Sequence, residues 1–199
     1  MRALTPKGAA TRQRIVEGAA KLIRDHGPAN VGLDDIRAAT ATSKSQLFHY
    51  FPDGKADMLL AVAAHEAELV LDEQQPYLGD LTSWAQWEAW RDRVIARYAA
   101  QRRRCPLSAL TAQLGLADPA VEGIITGMYS RWQAQIAAGV RAVRPDADAE
   151  RVATQLIGAI TGGATMLVAT DDIRYLEIGL TEAIENLRRG APGAGSSLR

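Results

Sequence analysis

Seven side chains able to donate or accept hydrogen bonds crowd together in one short stretch: Thr42, Ser43, Lys44, Ser45, Gln46, His49 and Tyr50. Hydroxyls, an amide, an imidazole and an ammonium at this density suit reversible contact with phosphates and base edges. Catalysis would need a different constellation. His26, His49 and His65 are scattered, and there is no HExxH and no cysteine-rich metal spacing. No glycine-rich phosphate loop follows a strand. The expectation is therefore no enzyme, no metal and no cofactor. The remaining reactive group is Cys105, which follows Arg102-Arg103-Arg104 and precedes Pro106 at a predicted helix start. Both features favour the thiolate, so an oxidant- or electrophile-sensing thiol and a buried small hydrophobe are both open readings.

The elements that must position the polar cluster can be read from spacing. Leu33, Ile36 and Ala39 fall on one face of a short helix whose opening turn carries Asp34 and Asp35, suited to the positive end of its dipole. Ala41-Thr42-Ser43 breaks that pattern. Ser43 with Gln46 three residues on is a capping-box signature, which predicts a second helix from Lys44. Leu47, Phe48 and Phe51 supply its buried side. Two short helices and a tight turn make a helix-turn-helix whose second helix carries the polar cluster. Before it, Ile15, Val16, Ala19, Leu22 and Ile23 predict a helix from Thr11 to His26, stopped by Gly27-Pro28, with residues 1–10 as an arm. Arg12, Arg14 and Lys21 lie off its apolar stripe, as a solvated face or as phosphate clamps. After it, Pro52-Asp53-Gly54 turns into a helix over 55–73, a rod of roughly 28 Å. Lys55 in its first turn opposes the dipole unless an anion such as a phosphate is near.

From Gln74 to Leu81, Pro76 and Gly79 mark a linker. Beyond it the periodicity predicts helices over 84–104, 107–114, 119–143, 148–169 and 173–189. The fold class is all-α, with about nine helices. The boundaries are an N-terminal helix-turn-helix domain over 1–54, a C-terminal helical domain over 55–189 and a low-complexity tail over 190–199, expected to be disordered. In the last two long helices, Val152, Leu156, Ala159, Ile160 and Gly163 face one way. Ile173, Leu176, Leu180, Ile184 and Leu187 repeat near 3.5 residues. Small residues here would let helices approach closely, either across a four-helix dimer interface or within one core.

Charge supports the division. The 199 residues carry no net charge, yet residues 1–56 hold nine Lys/Arg and five Asp/Glu, so the first part is +4 and the remainder −4. A basic head on an acidic body is the asymmetry of a nucleic-acid-binding protein. Composition is that of a soluble globular protein, with no apolar run expected to span a bilayer and no signal-peptide pattern at the start. A single cysteine fits a reducing cytoplasm, which is the expected location.

The stretch ATSKSQLFHYFPDGKADML, with the order of helices around it, resembles the TetR family of transcriptional regulators. Ile36, Ala39, Ser43, Lys44, Leu47, Phe48, His49, Tyr50, Phe51, Pro52 and Lys55 carry the resemblance. Ala41 stands where glycine is usual, Phe48 where tyrosine is common, and the turn before Lys55 is one residue longer than the commonest form. That FPxGK linker, with Cys105-Pro106, resembles a subgroup responding to small aromatic compounds. The resemblance implies DNA-binding residues Thr42, Ser43, Lys44, Ser45, Gln46, His49, Tyr50 and Lys55, on a palindromic double-stranded operator. It further implies a homodimer through the last two helices and a repressor released by a small apolar or aromatic effector. An activator, or a redox-sensing repressor acting through Cys105, are the alternatives. Aromatic and sulfur side chains offer pocket material at Trp84, Trp87, Tyr98, Cys105, Met128, Trp132 and Met166, together with Trp90 and Tyr129, and Gln113 and Thr165 offer polar anchors, although aromatic and methionine side chains are ordinarily core.

Overall fold

The computed structural model describes residues 4–102, 106–115 and 118–190. Among them every regular element is helical: α1 Pro6–His26, α2 Leu33–Ala39, α3 Lys44–Tyr50, α4 Lys55–Asp72, α5 Trp84–Gln101, α6 Pro106–Leu114, α7 Pro119–Val143, α8 Ala149–Thr170 and α9 Arg174–Arg189. Tight 3-10 turns occupy Pro28–Asn30 and Tyr77–Gly79. Packing divides the chain into two compact units, Met1–Val70 with Arg104–Met128, and Leu71–Arg103 with Tyr129–Arg199. This division is by packing, whereas the boundary at residue 54 is by motif. Cys105 and the tail from residue 191 lie outside the described residues.

The first unit is built on α1. Its stripe of Ile15, Val16, Ala19, Ala20 and Ile23 is buried with Ile36 of α2, Leu47 of α3, Phe51, Met58 and Val62 of α4, and Leu110 of α6. Each large apolar side chain so buried contributes about 1.5–3 kcal/mol. α1 begins five residues earlier than the periodicity suggested, at Pro6 instead of Thr11, so residues 6–10 are helix and not arm. The reason is a cap: the Thr5 hydroxyl accepts from the Gly8 N–H at 3.2 Å, and Pro6 sits where a missing N–H costs nothing. Arg24 near the end of α1 pairs with the buried Glu66 of α4. Gly27 ends α1 at φ 80, a conformation open to glycine.

In the second unit, α8 buries Leu156, Ile160, Gly163 and Leu167, and α9 buries Leu176, Leu180, Ile184 and Leu187. At Gly163 an added Cβ would lie 2.5 Å from the Leu176 Cα, so the two helices touch backbone to backbone there. The segment before α5 is not a free linker. Leu78 and Leu81 are buried, the Trp87 indole N–H donates to the Leu81 carbonyl at 3.1 Å, and the Trp90 N–H donates to Gln74 Oε1 at 2.8 Å. Pro76 and Gly79 shape this connection instead of loosening it. Arg188 of α9 pairs with Glu88 of α5 at 2.5 Å and lies over the Trp84 ring.

α8 corrects the expectation that no segment could span a bilayer. By length and composition it is apolar enough, although only 28% of its apolar window is buried. One face packs on α9. The other carries Gly158 and Gly162 with open space beside them, and Met166 and Val168 exposed. A helix apolar on two sides needs cover on both.

Candidate nucleic-acid interface and ligand-domain residues

The turn between α2 and α3 sets the aim of the polar cluster. Thr40 ends α2 with its hydroxyl donating to the Ile36 carbonyl at 2.7 Å and lying 2.8 Å from the Thr42 hydroxyl. Ala41 adopts φ 47. The turn thus requires the left-handed region that glycine normally supplies, and alanine holds it at a cost of about 1–2 kcal/mol. Arg14 of α1 donates a guanidinium N–H to the Thr40 carbonyl, satisfying a carbonyl at the end of α2. On the same helix, Gly18 lets α1 close on the turn: a Cβ there would lie 2.3 Å from Thr40 Cγ2.

α3 then starts where the spacing placed it. The Ser43 hydroxyl accepts from the Gln46 N–H at 3.2 Å, the forward half of the capping box. Leu47 is the one α3 residue driven fully into the core. Ser43, Lys44, Ser45, Gln46 and His49 are exposed and Tyr50 is half-buried, its ring edge-on to His49 at 4.9 Å between centroids. Among the described residues the Gln46 amide makes no bond within the chain, which leaves both donor and acceptor free for a base edge. After Tyr50 the longer turn closes when the Gly54 N–H donates to the Phe51 carbonyl at 3.0 Å, with Gly54 at φ 65. The Asp57 carboxylate accepts from the Asp53 N–H at 2.8 Å, and half-buried Lys55 opens α4 beside it.

Two expectations need correction. Thr42 is only 5% exposed, its hydroxyl bonded to Thr40, so its side chain shapes the turn and is not displayed. Phe48, read as core, is 40% exposed, because Leu47 and Phe51 already occupy the two positions facing α1 and α4. Its ring lies 3.5 Å from where a Gly54 Cβ would stand. Two α1 arginines also have partners within the chain. Arg14, exposed as a solvated face would be, donates to the Thr40 carbonyl, and the Arg12 guanidinium lies 5.2 Å from the Phe51 ring centroid. Spacing off the apolar stripe could not distinguish these from a solvated face, and Gly18 carried no signal without its neighbour Thr40.

The described ligand-domain residues fall in both units. Gln113 and Met128 belong to the first unit, with Gln113 exposed and Met128 buried. Trp84, Trp87, Tyr98, Trp132 and Met166 belong to the second. Trp87 and Trp132 are fully buried, Trp84 and Tyr98 half-buried, and Met166 exposed. Met166 is thus a surface group in the single chain, because it lies on the face of α8 turned away from α9. A cleft of about 720 Å³ in this unit is lined by Arg144, Asp146, Arg151, Gln155, Glu182 and Asn186. Its charged walls suit no apolar ligand, and none of the seven described candidates lines it. Gly158, Gly162, Val168, Tyr175 and Ile178 form the outer surface of α8 and α9, with Ile178 63% exposed.

Comparison with known proteins agrees with the head first. Residues 15–62 match the bacterial regulatory proteins of the tetR family. An uncharacterized HTH-type transcriptional regulator from Lactococcus lactis is 25% identical over 179 residues, covering 84% of this chain and 88% of its own. Among solved structures, a TetR transcriptional regulator from Chloroflexus aurantiacus superposes with a TM-score of 0.72, at 23% identity over 93% of this chain and 98% of that one. A regulator from Saccharomonospora viridis, solved in complex with choline, gives 0.65 at 23% identity over 89% and 96%.

Proposed function

We propose that this chain is a TetR-family DNA-binding transcriptional regulator, as its similarities support, and a homodimeric repressor that leaves its operator when a small apolar or aromatic effector binds the C-terminal helices. The observation that carries the reading is the split face of α3: Leu47 is buried while Ser43, Lys44, Ser45, Gln46 and His49 are exposed together. A helix anchored by Leu47, with these five polar groups exposed beside Phe48, is suited to enter a major groove. The outer apolar surface of α8 and α9 supports a dimer, since Tyr175 and Ile178 beside open glycines would be covered by the same face of a second copy. Two heads then read two half-sites of a palindrome about 34–36 Å apart. The choline complex of the Saccharomonospora viridis regulator supports a small-molecule site within this fold. The working location is the cytoplasm.

Within the head the labour is divided. Gln46 reads a base edge, Lys44 reaches guanine or phosphate, and His49, Tyr50 and the serines touch the backbone. Lys55 at the start of α4 holds a phosphate. Gln46→Ala is expected to lose about 1–3 kcal/mol on the preferred sequence and to relax the preference at one base pair. Lys55→Ala is expected to weaken all sequences alike and to reduce the salt slope by about 1. Anisotropy titrations across ionic strength measure both; equal and uniform losses from the two variants would refute the division.

A further inference from the structure

We propose that the indole N–H of Trp132 is the polar anchor of the effector site, donating a hydrogen bond to an acceptor such as a carbonyl oxygen on an otherwise aromatic ligand. The inference rests on the effector reading above and names its ligand chemistry. Trp132 is 1% exposed, and its Nε1 is buried with no hydrogen-bond partner. The other two fully buried tryptophans differ. Trp87 donates to a carbonyl at 3.1 Å and Trp90 to an amide oxygen at 2.8 Å. Among the described residues two further buried nitrogens lack partners, Arg37 Nε and Arg188 Nε, but each belongs to a guanidinium already paired, with Asp34 and Glu88. Trp132 is therefore the residue among these whose one polar atom is left unused.

A buried donor without an acceptor is costly, and native chains seldom retain one without a use. Indole is a donor only, so the missing group must be an acceptor. Its neighbourhood is apolar: Tyr129 stacks on the Trp132 ring at 6.2 Å and 21°, and Ile136, one turn further along α7, is buried. An uncharged aromatic ketone meets both conditions. A structural water is the rival occupant, and it requires two or more polar partners.

The full chain is titrated with 9-fluorenone and with fluorene, which replaces the carbonyl by CH2. Binding is read from the tryptophan indole N–H signals, and release is read from DNA of the chain's own upstream region. In the wild type, fluorenone is expected to bind and to move one indole N–H signal, with fluorene leaving that signal in place. Trp132→Phe keeps an aromatic ring and removes the donor. It is expected to bind fluorenone about tenfold more weakly and fluorene unchanged. The signal shift in the wild type needs no variant, so a poorly folding Trp132→Phe does not block the test. Equal fluorenone affinity in the two proteins, or a water already bonded to the Trp132 N–H in the ligand-free chain, overturns the anchor. If fluorenone still releases DNA from Trp132→Phe at unchanged affinity, the effector reading survives and only the anchor falls. If neither compound binds or releases DNA, both fall.

Discussion

Gly163→Ala is expected to lower the thermal unfolding midpoint by about 4–8 °C, the equivalent of roughly 2 kcal/mol in a chain of this size. The added Cβ would lie 2.5 Å from the Leu176 Cα and 2.9 Å from its N. Backbone cannot rotate aside, so α8 and α9 must separate. The helix-propensity gain of alanine over glycine, about 1 kcal/mol, offsets part of the cost and does not cancel it. Gly123→Ala in α7 is the matched control, because nothing lies within 4 Å of its Cβ position and only the propensity gain remains. Calorimetry on both separates packing from propensity: a midpoint for Gly163→Ala at or above the wild type would refute the close contact. Sedimentation of Gly158→Ala adds a second reading. Its Cβ meets nothing in the single chain, so weakened self-association would place that face against a second copy.

Gly18→Ala is expected to reduce DNA affinity more than tenfold. Its Cβ would come within 2.3 Å of Thr40 Cγ2, and Thr40 cannot turn away without losing its bonds to Ile36 and Thr42. Overpacking of this kind costs about 1–3 kcal/mol. The relief available is to push the turn away from α1, which re-aims α3. Ala41→Gly acts on the same turn with the opposite sign. At φ 47 the alanine is strained, and glycine is expected to stabilise by up to about 1 kcal/mol with DNA affinity kept. Unfolding curves and anisotropy titrations on both variants check the pair. Undiminished DNA affinity in Gly18→Ala would show that the turn does not depend on this contact.

Local signals were legible because they act through neighbours in the chain. Ser43 and Gln46 marked the start of α3, Asp118-Pro119 and Asp148 the starts of α7 and α8, and the gap at Ala41 raised the question that φ 47 answers. What was illegible depends on partners distant in sequence. Thr42 looks like any exposed hydroxyl until Thr40 is beside it, and Arg14 looks solvated until the end of α2 reaches it. Leu110 carries no mark that it completes a core assembled from residues before 64. Phe48 failed for a different reason: three apolar residues in five positions exceed what one face of a two-turn helix can bury. The aromatic residues beyond Trp84 had the right composition for a pocket but no periodicity to say which would share one. Only the unused N–H of Trp132 distinguishes one of them.

The most direct measurement is an anisotropy titration of the full chain onto duplex DNA from upstream of its own coding region, beside a scrambled duplex, across ionic strength. The account predicts saturable binding by two chains per site, preference for the upstream duplex by about a thousandfold or more, and a log–log decline in affinity with salt. Equal affinity for the two duplexes at every salt concentration, or binding of a single chain per site, would contradict it.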